Sequence, residues 1–577
     1  MLFLHAHTVS KKHALVPRYK RRVLRRIVTR CCLVLYLNLC TIQIASAQQQ
    51  ELTSEDDHAL LYTKQIQFAQ DGSPVIRMRI ADDLASISMT PEHSFIVYPN
   101  GPGNAYITLP GNETYTITAR SPHPGAYRYA VILFRSRNQG DLEKEASNFE
   151  KHVTLTDTLA LGSVFALKGK VFDNREHLLI TSKTNDKNEA LKIREQLKKQ
   201  FPEKDFEIYD ELQAYPKLII QVTNAKGDMT ITNANVIWFS FDHSPVNIHN
   251  MPDEQGNPRS IRLNGQLIVT PDSHAKLALV QAAGVETILR GIVPAEIFPS
   301  APAAALEAQA IAARTTLISQ VGSRHQADPY HLCNKQHCQV YHGLSAATQA
   351  TDEAIEKTRG QILFSGNELV SAYYSAHCGG ASATPKETWA LPDKPYLQAR
   401  TDDADHGASP KTENALKQFL ENVPERANAF CAKAPPGQKS FSSTKHARWD
   451  ITLSIDEIQK NLKAQGMTVK KIDNIEIVRR GPSGRVTQIK ITGDGKSFFI
   501  ERELPIRRFF GGLKSALFTM EVSKNHKGIQ SVTFHGAGFG HGVGMCQTGA
   551  IGMAQRNYSA NQILQHYYPS THIEKLW

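Results

Sequence analysis

Acidic residues are absent from the first 47 positions of this 577-residue chain, although nine basic residues lie there. Without these positions the formal charge falls from +11 to about +2, which gives no support to nucleic-acid binding through a basic surface. Beyond them, no apolar run approaches the ~20 residues that a membrane-spanning helix needs. The composition, 41% hydrophobic and 21% charged, is ordinary for globular domains and excludes wholesale disorder, collagen and a polytopic membrane protein.

The basic N-terminus continues into the features of a secretory leader. Residues 31–44 form an uncharged, mostly apolar run, and Ala45–Ala47 then supplies an A-x-A cleavage site. We therefore predict that residues 1–47 are a signal peptide and that the mature chain is exported to the periplasm or cell envelope without a membrane anchor. The alternative is an uncleaved anchor, for which the apolar run is short.

Cysteine is scarce in the mature chain. Five residues remain after cleavage, all in the C-terminal half: Cys333, Cys338, Cys378, Cys431 and Cys546. Because this number is odd and the compartment is oxidising, at least one thiol must be unpaired or bound to a metal.

The mature chain is predicted to be an α+β protein in three parts. Strand patterns separated by turns predict a β-rich N-terminal domain at 48–122. Residues 123–242 show the order β-α-β-β-α-β, with the second strand near Ser163–Val171, and this pattern resembles the SPOR domain, which binds glycan strands lacking stem peptides. A generic α+β domain has the same pattern. Residues 243–264 are predicted to be a linker, and 265–577 a mixed α+β domain.

The first segment with a chemical signal surrounds Glu296. Ser300 as a cap and Pro302 in the first turn predict the start of an alanine-rich helix that carries Arg314. Glu296 precedes this helix among apolar neighbours, a setting that raises the pKa of a carboxyl group and lets it hold a proton near neutrality. The alternative is an exposed glutamate in a loop.

The second segment has the residue density of a metal site. His331, Cys333, His337 and Cys338 lie close together in the sequence. One hypothesis is Zn²⁺ held by Cys333, His337 and Cys338, with a fourth ligand from His331, His325 or a later residue. The other is a disulfide between the two cysteines. Either would tie a loop together and would not be catalytic.

In the third segment, His377 stands directly before Cys378. Neighbouring residues of a strand point to opposite faces, so this pair is poorly placed for proton transfer to a nucleophilic thiol. A second metal site or a disulfide is the better hypothesis for Cys378.

The fourth segment, His535–Ala550, is rich in glycine and joins a predicted strand to a helix. It contains neither G-x-G-x-x-G nor G-K-[ST], so it does not fit a loop that binds nucleotide phosphates. The glycines indicate backbone packed closely against something, with His535, His541 and Gln547 as candidates for substrate hydrogen bonds. The alternative is a turn needed only for tight packing.

Taken together and in this order, these segments resemble the SpoIID/LytB family over roughly 265–577. The matching pieces are Val293–Glu296, AQAIAAR, HCQVY, Tyr-Tyr-Ser…Cys-Gly-Gly…Trp, Arg448-Trp449, Ser483–Val486 and GFGHGVGM…Q-x-G-A. Characterised members are similar to lytic transglycosylases that cut the MurNAc–GlcNAc linkage of peptidoglycan strands stripped of stem peptides. Others are described as enhancers of a cell-wall amidase.

The resemblance implies roles for individual residues. The catalytic glutamate of the family falls on Glu296, its helix arginine on Arg314 and its tyrosine on Tyr396. Where the family has a lysine two positions after that tyrosine, this chain has Gln398. The resemblance also implies zinc at the Cys/His cluster before HCQVY, although the spacing here is one residue shorter, and it implies no organic cofactor.

The predicted function is therefore that of an exported lytic transglycosylase that acts on denuded peptidoglycan strands. Glu296 would serve as general acid and base and leave 1,6-anhydro ends, and Arg314 would anchor Glu296 or a substrate carbonyl. Tyr396 would position the N-acetyl group or donate to developing charge, and Gln398 would contact the substrate. The alternative is a non-catalytic glycan-binding enhancer of a cell-wall amidase. A zinc hydrolase needs an open metal position beside a general base, and no such constellation is present in the sequence.

Overall fold

Strands occupy more of this α+β protein than helices do. A computed structural model describes residues 54–577 apart from 202–203, 205, 254–255, 423–428, 433–440, 442–443 and 527. The predicted signal peptide at 1–47 lies outside the described residues. No helix within the described ranges is both long and apolar enough to cross a bilayer.

The strands follow one another along the chain as β1 (Gln67–Phe68), β2 (Pro74–Leu84), β3 (Ser86–Pro91), β4 (Phe95–Tyr98), β5 (Ile107–Leu109), β6 (Tyr115–His123), β7 (Ala126–Ser136), β8 (Leu155–Leu161), β9 (Val164–Leu167), β10 (Lys170–Asp173), β11 (Glu176–Thr181), β12 (Glu207–Ala214), β13 (Lys217–Asn224), β14 (Thr230–Ala234), β15 (Ile237–Pro252), β16 (Pro258–Pro271), β17 (Leu277–Gly284), β18 (Leu332–Cys333), β19 (Gln361–Ser365), β20 (Glu368–Leu369), β21 (Tyr374–Ser375), β22 (Trp449–Ser454), β23 (Ile472–Arg480), β24 (Val486–Gly493), β25 (Lys496–Glu501), β26 (Phe518–Asn525), β27 (Gly528–Gly536), β28 (Met545–Cys546) and β29 (His572–Lys575).

The α-helices are α1 (Ser54–Leu61), α2 (Gln139–Phe149), α3 (Lys187–Gln200), α4 (Val285–Glu296), α5 (Ala303–Gln320), α6 (Gln349–Lys357), α7 (Pro385–Trp389), α8 (Glu413–Asn422), α9 (Thr444–Ala447), α10 (Ile455–Ala464), α11 (Glu503–Phe509), α12 (Gln547–Ala554) and α13 (Ala560–Tyr567). A 3-10 helix covers Gly343–Ala346.

A twelve-stranded sheet forms the centre of the molecule. Its main path runs β1-β2-β17-β16-β15-β3-β6-β13-β14, with β4, β5 and β18 attached at the side. Strand β17 is buried along almost its whole length, as expected for a strand covered on both faces. Helices α4 and α5 share one apolar core with this sheet, so residues from Ile76 to Leu576 pack in a single cluster.

The predicted linker at 243–264 is wrong, because these residues lie in the paired strands β15 and β16. The features that suggested a linker are local irregularities of this hairpin. Asn250 has a left-handed φ of 56° at a shift in register, and Gly256 has a φ of 85° in the turn. The predicted boundary at 122 also falls inside this sheet, since β6 pairs with β13.

Residues 126–214 form a module inserted between β6 and β13. Four antiparallel strands in the order β12-β7-β11-β8, with α2 and α3, give the sequence order β-α-β-β-α-β and a core of their own. The second strand is β8, not the predicted Ser163–Val171. That segment instead forms the β9–β10 hairpin, because its alternating Phe165, Leu167 and Phe172 are buried against the main core.

A separate apolar core lies further towards the C-terminus. It is enclosed by the three-stranded sheets β22-β27-β26 and β23-β24-β25 together with α10 and α11. A short parallel pair, β21 with β28, joins the third and fourth segments singled out in the sequence.

Candidate active site

Glu296 is the last residue of helix α4, not a residue in a loop. The apolar run of α4 explains its burial against the sheet, and the Ile297 N–H closes the helix on Val293. Helix α5 begins at Ala303, with Pro302 at its cap position and no side-chain cap. The predicted capping by Ser300 is therefore wrong; the chain needs residues 297–302 to turn from one helix into the next.

Burial is the main electrostatic influence on Glu296. Its carboxyl accepts one hydrogen bond among the described residues, from the Val340 N–H to Oε1 at 3.0 Å. Burial raises the pKa of Glu296 to about 7, and the hydrogen bond opposes only part of that rise. The group therefore exchanges a proton near neutral pH, as the sequence predicts for a carboxyl in an apolar setting.

The HCQVY segment forms one wall around this carboxyl. Gln339 accepts a hydrogen bond from the Tyr374 hydroxyl at 2.6 Å and donates one to the Ala313 carbonyl of α5 at 3.1 Å. Burial, and then the Glu296 charge, raise the pKa of Tyr374 well above its ordinary value, so the phenol stays protonated. Gln339, Val340 and Tyr374 lie within motifs that are visible in the sequence, but their place beside Glu296 is apparent only in the fold.

Arg314 pairs with Glu286 in place of Glu296. The guanidinium is fully buried and forms a two-point ion pair, with Nε–Oε1 at 3.0 Å and Nη2–Oε2 at 2.6 Å. It also faces the Thr358 hydroxyl and the Ile355 carbonyl. The prediction that Arg314 anchors Glu296 or the substrate is wrong: this arginine holds α4, α5 and the end of α6 together.

Two more predicted site residues belong to the core. Tyr396 is 5% exposed, and its hydroxyl accepts a hydrogen bond from the Ser371 N–H at 3.1 Å. Gln547, at the start of α12, is 6% exposed and donates to Gln309 Oε1 at 3.2 Å. Both polar groups are thus largely enclosed and bonded within the protein, and a role of either residue at the substrate stays a prediction.

Three predicted substrate contacts lie at more open positions. Gln398 is exposed, and His535 contacts the Asp450 carboxylate at 2.6 Å on the neighbouring strand β22. His541 is half-buried; burial, followed by the charges of two arginines, lowers its pKa to about 3 and keeps the ring neutral. A substrate contact for these three side chains stays a prediction.

The glycines of the fourth segment allow close backbone packing. Positive φ values occur at Gly538, Gly540, Gly542 and Gly544. A Cβ at Gly542 would overlap the Arg485 guanidinium, and a Cβ at Gly544 would overlap the Tyr373 carbonyl. Tight packing, the alternative left open by the sequence, accounts for glycine at both positions.

The second segment gathers four potential metal ligands. The ligand atoms of His325, Cys333, His337 and Cys338 all lie within 4.8 Å of one another. The sulfur–nitrogen separations are 3.7 Å for Cys333–His337, 3.5 Å for Cys338–His337 and 3.4 Å for Cys338–His325. A tetrahedral zinc with ordinary bond lengths needs about 3.6 Å between sulfur and nitrogen, so the residues fit this ion.

His325 takes the position predicted for His331. The His325 Nδ1 lies 2.9 Å from Asp328 Oδ2, an arrangement that orients an imidazole ligand. His331 is buried elsewhere, where its Nδ1 accepts a hydrogen bond from the Arg77 N–H at 3.2 Å. Cys333 and Cys338 are free thiols in the structure.

The fold and site thus define an α+β protein with an isolated, proton-holding carboxyl beside a Cys/His cluster. Residues 273–364 match the profile of the SpoIID family, described as stage II sporulation protein, and 383–544 match a domain of unknown function, DUF8618. The resemblance drawn from the motifs is confirmed over this part of the chain: residues 273–364 match the SpoIID family.

Individual relatives match about half of this chain each. A Bacillus subtilis protein named amidase enhancer is 27% identical over 293 residues, 49% of this chain and 40% of its own length. Stage II sporulation protein D of Bacillus amyloliquefaciens is 25% identical over 314 residues, 51% of this chain and 76% of its own. An uncharacterized protein of Brachyspira hyodysenteriae is 26% identical over 313 residues, 54% and 72% of the two chains.

Proposed function

We propose that this protein is an exported lytic transglycosylase that cleaves MurNAc–GlcNAc linkages of denuded peptidoglycan strands. The observation that carries the proposal is Glu296, a half-buried carboxyl with a pKa of about 7. Such a group is both acid and base at neutral pH, which a reaction with a single carboxyl group requires. The match of residues 273–364 to the SpoIID family supports the substrate class.

The reaction needs only the two protonation states of Glu296. The neutral acid donates its proton to the glycosidic oxygen as that oxygen leaves C1 of MurNAc. The C6 hydroxyl of the same sugar then attacks C1 and returns its proton to the carboxylate, giving a 1,6-anhydro end. The Val340 N–H donates to Oε1, so the other oxygen carries the proton. Intramolecular attack gains from proximity and consumes no water.

Two further parts of the chain support this role. The inserted module at 126–214, with its β-α-β-β-α-β order, would serve as the SPOR-like glycan-binding domain. His325, Cys333, His337 and Cys338 would hold a structural zinc that fixes the segment leading into Gln339 and Val340. Zinc in a closed site of four protein ligands supplies folding energy and no chemistry.

The decisive experiment is mass spectrometry of purified denuded glycan strands after incubation with the mature chain. We expect products about 18 Da, the mass of one water, lighter than those of hydrolysis, because the C6 hydroxyl of the sugar attacks C1 in place of a water molecule. Glu296→Gln should keep glycan binding and lose cleavage. Glu353→Gln, at an exposed position of α6, is the matched control and should retain cleavage. Anhydro products from the Glu296→Gln chain would overturn the assignment.

The second candidate is an enhancer of a cell-wall amidase. It is supported by the name of the Bacillus subtilis relative and by Gln398, which stands where the family has a lysine. In that case the purified chain releases no sugars by itself but accelerates an amidase on intact peptidoglycan. The Glu296→Gln chain would then accelerate it equally well.

A further inference from the structure

A second group of potential ligands lies in the C-terminal half, outside the Cys/His cluster. The sulfurs of Cys378, Cys431 and Cys546 and a carboxylate oxygen of Asp402 all lie within 4.8 Å of one another. All four residues are buried. They come from four separate stretches of chain. Cys378 lies in the loop after β21, Asp402 in a later loop and Cys431 in the segment 429–432, and Cys546 is the N-cap residue of α12.

The separations have the dimensions of a tetrahedral metal site. Cys378 Sγ lies 3.6 Å from Cys431 Sγ and 3.4 Å from Asp402 Oδ2. A tetrahedral zinc needs about 3.8 Å between two sulfurs and about 3.5 Å between sulfur and oxygen. The two sulfurs are not bonded to each other in the structure, since a disulfide has an S–S length of about 2.05 Å.

The groups around these side chains orient them toward a common point. Asp402 Oδ1 is held by the Tyr567 hydroxyl at 2.8 Å and by His566 Nε2 at 3.2 Å, which leaves Oδ2 facing the sulfurs. Partners of this kind fix a carboxylate ligand in the outer shell of metal sites. Tyr567 and His566 satisfy Oδ1, and a cation among the sulfurs would compensate the buried charge on the side of Oδ2.

Cys546 is placed where a thiolate is favoured. It caps the N-terminus of α12, and its sulfur accepts hydrogen bonds from the Gly549 N–H at 3.3 Å and the Cys378 N–H at 3.2 Å. The partial positive charge of a helix N-terminus stabilises a negative sulfur.

Two glycines in α12 allow Asp402 and the segment that carries Cys431 to pack closely against this helix. A Cβ at Gly549 would lie 2.7 Å from Asp402 Oδ2 and would overlap the Tyr567 hydroxyl. A Cβ at Gly552 would overlap the carbonyl of Phe430, the neighbour of Cys431. The backbone itself also holds two of the stretches together, since the Phe430 N–H donates to the Asp402 carbonyl at 2.8 Å.

We propose that Cys378, Asp402, Cys431 and Cys546 bind one Zn²⁺ in a closed structural site. Four protein ligands leave no position for water or substrate, so the ion is not catalytic. It ties the loop after β21 to the start of α12. Strand β21 begins with Tyr374, whose pKa is raised in part by the Glu296 charge, so the site braces the strand that carries this phenol.

Metal analysis of the mature chain tests this independently of any activity. Cys338→Ser disables the Cys/His cluster, and this variant should still contain one zinc per chain. Adding Cys546→Ser should remove that zinc. A Cys338→Ser chain without zinc, or one that keeps its zinc after Cys546→Ser, would overturn the proposal. So would a disulfide between Cys378 and Cys431 found by mass spectrometry after alkylation under denaturing conditions.

If Cys546→Ser prevents folding, substitution of Co²⁺ for the metal provides a second test of the site. Co²⁺ in the Cys338→Ser chain should give tetrahedral d–d bands and sulfur-to-cobalt charge transfer from three thiolates. Tyr567→Phe, which keeps the ring and removes one hydrogen bond to Asp402, should weaken metal affinity about 10- to 100-fold. Octahedral cobalt without charge transfer contradicts the site, as does an affinity unchanged in Tyr567→Phe.

Discussion

The proton on Glu296 links pH to both activity and stability. Because its folded pKa is raised to about 7, the neutral acid needed for leaving-group protonation is lost as pH rises through that value. We expect the cleavage rate on denuded glycan to fall as pH rises, with the midpoint of this alkaline limb near pH 7. The Glu353→Gln control should follow the same profile, and a flat profile across neutral pH would contradict Glu296 as the acid.

Stability should respond to the same group in the opposite direction from a typical paired carboxylate. An unfolded glutamate has a pKa near 4.3, so deprotonation between that value and about 7 disfavours the folded state as pH rises. Glu296→Gln removes this penalty. At pH 8 the variant should therefore be more stable than the parent by roughly 1–3 kcal/mol in urea unfolding, with little difference at pH 4.

For single residues, the sequence predicts the raised pKa of Glu296 but not the ion-pair partner of Arg314. The apolar neighbours of Glu296 lie beside it in the chain, so its raised pKa is predictable. The partner of Arg314 is Glu286, ten residues before Glu296 on the same helix, and only the packing of α4 against α5 brings the two charges together. Asp402 and Cys431 are also distant in sequence, so only the fold shows that they belong to one group of potential metal ligands.

The need for glycine in the connection between β27 and α12 can be tested by substitution. Gly544→Ala places a Cβ against the Tyr373 carbonyl at a φ of 73°. Gly495→Ala is matched in conformation, also at φ 73°, but has open space around it. We expect a loss of about 1–2 kcal/mol at Gly495 and roughly 3 kcal/mol or more at Gly544, measured by urea unfolding. Equal losses would mean that conformation alone explains these glycines.

Elements with strong local patterns were predictable, and elements defined by distant partners were not. The region 48–122, predicted to be rich in strands, contains β1 to β5 and most of β6, and the strand predicted to lead into the glycine-rich segment is β27. Strands β15 and β16 were missed because turn-forming residues such as Asn250 and Gly256 mark irregularities and a hairpin turn as readily as a linker. The sequence cannot distinguish these without knowing that β3 and β17 lie alongside.

For the whole molecule, the central sheet predicts that the family-like half does not fold alone. A fragment of residues 265–577 loses β2 and β15 and truncates β16, which exposes the apolar side of β17 and α4. We expect this fragment to be insoluble or to lack cooperative thermal unfolding. The mature chain should unfold cooperatively under the same conditions. A soluble fragment with native near-ultraviolet circular dichroism would show that the sheet is dispensable.

Predicting domains as consecutive segments fails here for a topological reason. Strands β1–β6 and β13–β17 are far apart in sequence but share one sheet, and hydrophobic patterns carry no information on which strands become neighbours. The inserted module could be recognised because its pattern of strands and helices is local and complete.

The β9–β10 hairpin gives this module a third point of attachment. The module enters from β6 and leaves into β13, adjacent strands whose ends form a narrow hinge. Phe172 of the hairpin, however, packs 5.7 Å from Phe364 of β19, and the Asn174 amide bonds to the Val321 carbonyl after α5 at 2.7 Å. Rotation of the module about its two connections to the sheet would have to break these contacts, so the hairpin resists such a rotation.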